Sequence, residues 1–486
     1  MHKRPNRKNE NIKRILTYVV MTLSVLTLVS ALIFVLLGYR FDSESGQIEQ
    51  GALLQFDSVP TGATVVVDGK TLSSKTPTKS TILPGSHTIV IKKDGYNSWT
   101  KTLDAVPGTL TWLNYAVLVP TKISVEKVLD LKTVYSSTGS ADGKAMVIQQ
   151  KASVPTFDVM DLKSDTAKQS TVTIPPDLYS SATTAGVAHT FMINQLDETG
   201  RYAVIEHTYG DKKEWLVMDT KDVTRTKNIS ALMDIPISSV ALSGTNGNVL
   251  FVLTGKDIRK LDLSSSTISR PLVSGVTSFG LYGTGAITYI ANSQTDATKR
   301  VVGLYVDGDS APHILRTVDG DSNVSLHVTS SHYFDKDFIA ISYGQKVDII
   351  GGTYPVSVSE DNSTLGDFAS FAFASNVDSL SFSPTGDYLL AVSGTNITSY
   401  NIEHQISSNF SLGGTATTIK WLDNNHIWSD NDGKLMIRDF DGINSYVIND
   451  VVSGQGVSLT PNARHLYSIG ATTEGYQLQR VRLQLP

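Results

Sequence analysis

Eight histidines fall beyond residue 121: His189, His207, His313, His327, His332, His404, His426 and His465. Imidazole titrates near neutrality and is the commonest metal ligand, and two of them two or four residues apart can hold one ion from a single strand or helix face. No two of these eight have that spacing, so no local metal pair is encoded. They read as isolated or hydrogen-bonded side chains, and convergence from distant strands is the alternative. Carboxylates cluster in two near-identical pentapeptides, Val306-Asp307-Gly308-Asp309-Ser310 and Val318-Asp319-Gly320-Asp321-Ser322, and in Asp430-Asn431-Asp432-Gly433. Each could offer oxygens to calcium, but none carries the complete D-x-D-x-D-G spacing with a distal glutamate. Asp-Gly pairs are also common hairpin turns, which is the reading taken here.

The other usual carriers of chemistry are missing. There is no G-x-S-x-G nucleophile elbow, no H-E-x-x-H helix and no phosphate loop ending in GKS or GKT. Glycoside cleavage needs two opposed carboxylates, which no linear pattern reveals. The chain has no cysteine, which excludes disulfides, thiolate catalysis, Cys-ligated zinc, iron–sulfur clusters and a lipidated cysteine. The sequence therefore assigns no catalytic, cofactor-binding or metal residue and leaves the binding residues open.

The elements that would position a site are β-strands. Only 18% of residues are charged, Thr, Ser, Val and Gly are abundant, and turn residues recur about every ten positions, a composition suited to sheets. At 486 residues the chain predicts two or three folded units.

Ahead of them, residues 15–37 run without a charge. As a helix this stretch is about 34 Å long, enough to cross a bilayer. It exceeds a signal-peptide core and no small-x-small cleavage site follows, so an uncleaved anchor over 15–38 is expected. Residues 1–14 hold Lys3, Arg4, Arg7, Lys8, Lys13 and Arg14 against Glu10, while Asp42, Glu44 and Glu49 follow the apolar run. The positive-inside rule then places the N-terminus in the cytoplasm and everything after Tyr39 outside. With the tail at about +5, the remainder is about -10. A net acidic domain with no Lys/Arg stripe argues against a general nucleic-acid surface.

After a polar linker over 39–50, strands and turns alternate from 51 to 120 with a period of two. Ala63, Val65 and Val67 share one face, as do His87, Ile89 and Ile91. The order Val59-Pro60-Thr61-Gly62-Ala63, Asp68-Gly69, Thr76-Pro77, Leu83-Pro84-Gly85-Ser86-His87, Gly95-Tyr96 resembles the PEGA domain, with Thr61 in place of the glutamate of the name-giving tetrad. The resemblance implies a small β-sandwich of prokaryotic envelope proteins and no catalytic residues. Turn geometry and packing account for every residue of the motif.

From 122 to 486 similar units recur, starting near 135, 190, 239, 278, 325, 379, 418 and 457, about 46 residues apart. Each reads as a four-stranded sheet that must stack on neighbours around an axis, giving a β-propeller of eight blades or seven. The last unit is one strand short, and 122–128 is expected to supply it. The stretch Phe382-Ser383-Pro384-Thr385-Gly386-Asp387-Tyr388-Leu389 resembles the repeats of TolB-like and WD-repeat propellers.

The expected protein is thus a single-pass cell-membrane protein with an all-β region outside the cytoplasm. Its expected role is binding or scaffolding of envelope protein or cell-wall glycan, with no nucleic-acid partner and no cofactor. A glycan hydrolase or lyase with a propeller-pocket site, or an accessory subunit of an envelope assembly, is the alternative.

Overall fold

Apolar patterning without a partner face dictates the first element. A computed structural model of the chain describes residues 7–36, 38–41, 48–180, 186–245, 247–283, 285–354 and 364–485. Its first helix, Arg7–Leu36, begins within the basic segment and includes Ile12–Val35, 24 residues long and apolar enough to cross a membrane, with none of its surface buried. The hydroxyls of Thr17, Ser24 and Thr27 donate to carbonyls four residues back, so these three polar side chains are satisfied within the helix itself. The segment expected as a linker is partly ordered: Tyr39–Phe41 and Ile48–Gln50 pair antiparallel, as their aromatic and branched residues favour. Leu37, Asp42 and Glu44 lie outside the described residues, as do Lys3 and Arg4.

The chain divides into two compact units, Met1–Lys122 and Ile123–Pro486. In the first, alternation along the strands builds a two-sheet sandwich. One sheet orders Thr78–Ile82, Ala52–Val59 and Leu110–Val117, the last pair parallel; the other orders Lys70–Lys75, Thr64–Val67, Gly85–Lys92 and Trp99–Ala105. Between them Leu54, Phe56, Ala63, Val65, Ile89, Ile91 and Trp99 are buried. The motif residues have local causes. Asp68 and Gly69 both take positive φ, the two-residue hairpin turn of reversed hand. The Thr76 hydroxyl accepts from Ala63 N at 2.9 Å and bonds Ser58 at 2.7 Å, tying the Val59-Pro60 and Thr76-Pro77 turns together beneath the surface. Thr61 is exposed, which explains why the family's glutamate is dispensable there.

The second unit is a β-propeller: its described residues form eight four-stranded antiparallel sheets. Their first strands are Ser136–Gly139, His189–Leu196, Ser239–Ser243, Val276–Tyr282, Leu326–Tyr333, Ser379–Phe382, Ile419–Trp421 and Ser458–Leu459, and the sheets are numbered one to eight in that order. Each start lies within two residues of the position expected from sequence. First strands line the axis and are half-exposed, whereas second strands are covered on both faces and read as continuous apolar runs, such as Tyr388–Ser393. Strand Val125–Leu131, three residues later than expected, pairs with Gly475–Arg482 and completes sheet eight. The ring also closes through its core, because Met146, Ile148 and Met160 of sheet one pack with Tyr467, Ile469 and Leu478 of sheet eight.

The recurring turn between first and second strands explains the repeat signature. In sheets one, two, six and eight a side-chain oxygen (Ser140, Asp197, Ser383, Thr460) accepts from the backbone N–H five residues on. The same residue's carbonyl accepts from the N–H three residues on, which belongs to Gly143, Gly200, Gly386 or Ala463. All four take left-handed φ. In these four hairpins the lock is therefore a Ser, Thr or Asp followed three positions later by a left-handed residue, glycine in three of them.

Candidate functional site

The axial strands enclose a cavity of about 890 Å³ along sheets six, seven, eight and one. Its wall follows from strand chemistry: the apolar residues of the second strands face neighbouring sheets, leaving small hydroxyl and glycine positions on the axis. Ser137, Thr138, Ser379, Thr395, Thr415, Thr417 and Thr418 line it with Gln455, Trp421 and Trp428, and so do the apolar Pro384, Val392, Ile419, Leu422, Val457 and Leu459. Asp378 and Lys420 are its only ionisable lining residues among those described, and Asp378 accepts from Gly394 N at 2.6 Å. The wall is held from behind. Buried Asp430 accepts from Thr417 N, Thr418 N and Gly454 N at 2.7 to 2.8 Å, and Ser137 bonds Gln455 and Gly456 across the seam from sheet one to sheet eight. One carboxylate occupied by a turn and one ammonium make no general acid–base pair. A rigid wall that mixes hydroxyls with apolar and aromatic side chains suits recognition of a neutral ligand with polar edges and apolar faces.

A second cluster lies between sheets one and two. His207 is buried against Phe191, their rings stacked 4.2 Å apart, and Tyr179 meets it edge-on. Its Nδ1 is 2.7 Å from Glu214 Oε1, and its Nε2 is 2.9 Å from Nδ1 of His189. Glu214 also accepts from Ser180 N, Ser180 Oγ and Asn228 Nδ2. Burial alone would raise the Glu214 carboxyl, but the hydrogen bonds from His207, Asn228 and Ser180 outweigh it and hold the pKa at about 2. An ionised carboxylate only accepts, so His207 Nδ1 is the donor, and one proton serves the bond between the two imidazoles. The spacing of histidines along the chain concealed this pair. Phe191 stands opposite His207 and His189 opposite Tyr209, so antiparallel pairing brings together rings 18 residues apart. Their facing nitrogens bond one another.

The other six histidines stay apart. His313 is 3.4 Å from Asp309, His327 bonds the Val377 carbonyl, and His332 pairs with Asp337 at 2.8 Å. His404 is exposed at a turn, its backbone N–H donating to Asn401. His426 is clasped by Asp423 at 2.8 Å beside Asp439 at 3.5 Å. His465 is buried in the eighth sheet, where burial lowers its pKa. The acidic pentapeptides are turns and ion pairs: Asp307 pairs with Lys260, Asp319 with Lys299, and Asp321 accepts from Asn323 N. Among the described residues no three His, Cys, Asp or Glu side chains converge as a metal site.

The sandwich and its tied turns now stand beside a family model. Residues 52–121 match the PEGA domain. No curated protein matches the chain. Among solved structures, the β-propeller domain of Cps50 (Swd1) from Myceliophteria thermophila aligns with 75% of this chain and 100% of its own at 8% identity and a TM-score of 0.42. Hsv2 of Kluyveromyces lactis aligns with 71% and 98% at 12% identity and a TM-score of 0.39. An oligogalacturonate lyase in complex with manganese aligns with 74% and 98% at 11% identity and a TM-score of 0.42. The PEGA domain accounts for the first unit beyond its helix, and the remainder is a propeller.

Proposed function

We propose that this is a prokaryotic cell-surface protein, anchored by its N-terminal helix with the N-terminus in the cytoplasm, that binds envelope glycan outside the membrane through the axial cavity of its propeller. The wall chemistry of that cavity carries the reading: hydroxyls, an amide and two tryptophans alternate with apolar side chains around about 890 Å³, with Asp378 and Lys420 the only charged lining residues among those described. An enzyme acting on glycan would need a second carboxylate opposite the first. The bare apolar helix and the basic residues at its start support the anchor and its orientation.

The test is retention of the full chain, in detergent micelles, on purified cell-wall glycan. Saturable retention without release of sugar fragments is expected. Thr395→Trp, which fills the exposed mouth, and Lys420→Glu should each weaken it by about tenfold, the scale of a well-placed contact. Fragment release would move the protein to the hydrolases or lyases. Capture only by a membrane-protein fraction would make it an assembly partner.

A further inference from the structure

Three glycines join the helix to the PEGA domain. Gly38 ends the helix, with its N–H on the Val35 carbonyl at 3.1 Å; its own carbonyl accepts from Gly51 N at 3.0 Å, and the Gly51 carbonyl accepts from Gly108 N at 3.0 Å. Room for a side chain is lacking at Gly51 and tight at Gly108. A Cβ on Gly51 would lie 2.5 Å from Thr81 Cγ2 and 2.9 Å from the Ile82 carbonyl, and one on Gly108 would lie 2.8 Å from Gln50 Nε2. The turn over 106–109 and the end of strand Thr78–Ile82 are thus packed beside the residue that closes the helix.

Exposed apolar side chains concentrate at this rim. The large hydrophobics exposed among the described residues of the PEGA domain are Leu83, Val106, Leu110 and Trp112, at 38%, 54%, 43% and 53% exposure. Leu83 follows Ile82, whose partner Ala52 adjoins Gly51. Val106 and Leu110 flank Gly108 in a turn without a charge, its Thr109 hydroxyl returned to the Val106 carbonyl. Trp112 is on the same face of the strand as Leu110, about 7 Å farther along, opposite Gln55, whose other neighbour is Lys79. The headgroup layer outside the hydrocarbon is about 5–8 Å deep on each side, and it is where Trp and Tyr side chains gather.

We infer that Leu83, Val106, Leu110 and Trp112 form a lipid-contact rim that seats the PEGA domain in the headgroup layer of the leaflet where the helix ends. The inference rests on the anchor reading above. Continuity with the helix end selects lipid as the occupant: Gly51 is hydrogen-bonded to Gly38, which itself caps the helix on the Val35 carbonyl, so the surface around Gly51 is at the membrane surface. An uncharged turn enters that layer without leaving an ion unsolvated, and Lys79, on the far side of Gln55 from Trp112, meets anionic headgroups.

A cysteine-free chain makes the test direct. Full-length single-cysteine variants Val106→Cys and Leu110→Cys, labelled with an environment-sensitive fluorophore, are placed in vesicles of phosphatidylcholine and phosphatidylglycerol containing doxyl-labelled lipid. Leu23→Cys within the helix and Thr61→Cys are the references, Thr61 lying beyond the far end of the strand that leaves Gly51. The expected result is strong quenching at 23, a roughly twofold loss of emission at 106 and 110, as for groups in the headgroup layer, and none at 61. Emission at 106 and 110 as unquenched as at 61, with 23 quenched, would overturn the rim while leaving the anchor intact. If 23 is also unquenched and the protein fails to float with vesicles, the anchor reading fails and the rim with it.

Discussion

Gly143→Ala is expected to cost about 3–5 kcal/mol of stability, against about 1–2 kcal/mol for Gly255→Ala. Both glycines take left-handed backbone, with φ of +67° and +61°, so the conformational cost of adding a Cβ is common to them. Their surroundings differ. A Cβ at Gly143 would lie 2.0 Å from the Leu459 carbonyl oxygen, whereas at Gly255 nothing is within 4 Å. The Leu459 carbonyl is backbone of sheet eight, so relief requires opening the seam where the ring closes onto sheet one. Urea unfolding of the two variants reads the difference. Equal midpoints would mean that sheets eight and one do not meet as closely as described.

The second large effect is set by acid. Glu214 has a folded-state pKa of about 2, below its ordinary 4.5, so its ionised form is favoured by folding. That contribution is complete above pH 4.5 and is lost as pH falls toward 2. The gap between the two pKa values corresponds to about 3 kcal/mol at neutral pH. Glu214→Gln removes it and sets an amide donor against His207 Nδ1–H or Ser180 N–H. The variant should therefore be less stable than the parent by about 3 kcal/mol at pH 7, with the difference shrinking between pH 4.5 and 2. Unfolding free energies at pH 7, 4 and 3 test this, and a gap independent of pH would refute the ionised, hydrogen-bonded carboxylate.

Periodic features were legible in the sequence because they repeat or stand alone. The helix is the one long uncharged run that is also predominantly apolar, without glycine or proline; the PEGA domain announces itself through Pro and Gly at fixed order; four of the eight sheets carry a Ser, Thr or Asp turn lock after the first strand. What distance along the chain conceals is convergence. His189, His207 and Glu214 meet only because a hairpin register with a bulge between Ile193 and Gln195 sets which side chains share a face. The cavity wall draws Ser137, Asp378, Lys420 and Gln455 from four different sheets, and no local pattern marks them. The junction at Gly38, Gly51 and Gly108 is similar: each glycine looks like an ordinary turn residue, and only the folded backbone shows three of them in one line.

The anchored, outward-facing β region is the claim on which the rest depends, and its most direct test is labelling of single cysteines in intact cells with a membrane-impermeant maleimide. Thr395→Cys, exposed at the propeller cavity, should label in intact cells, Asn9→Cys should label only after lysis, and both should remain in the carbonate-washed membrane fraction. Protection of Thr395→Cys until lysis, or its release with the soluble proteins, would contradict the account.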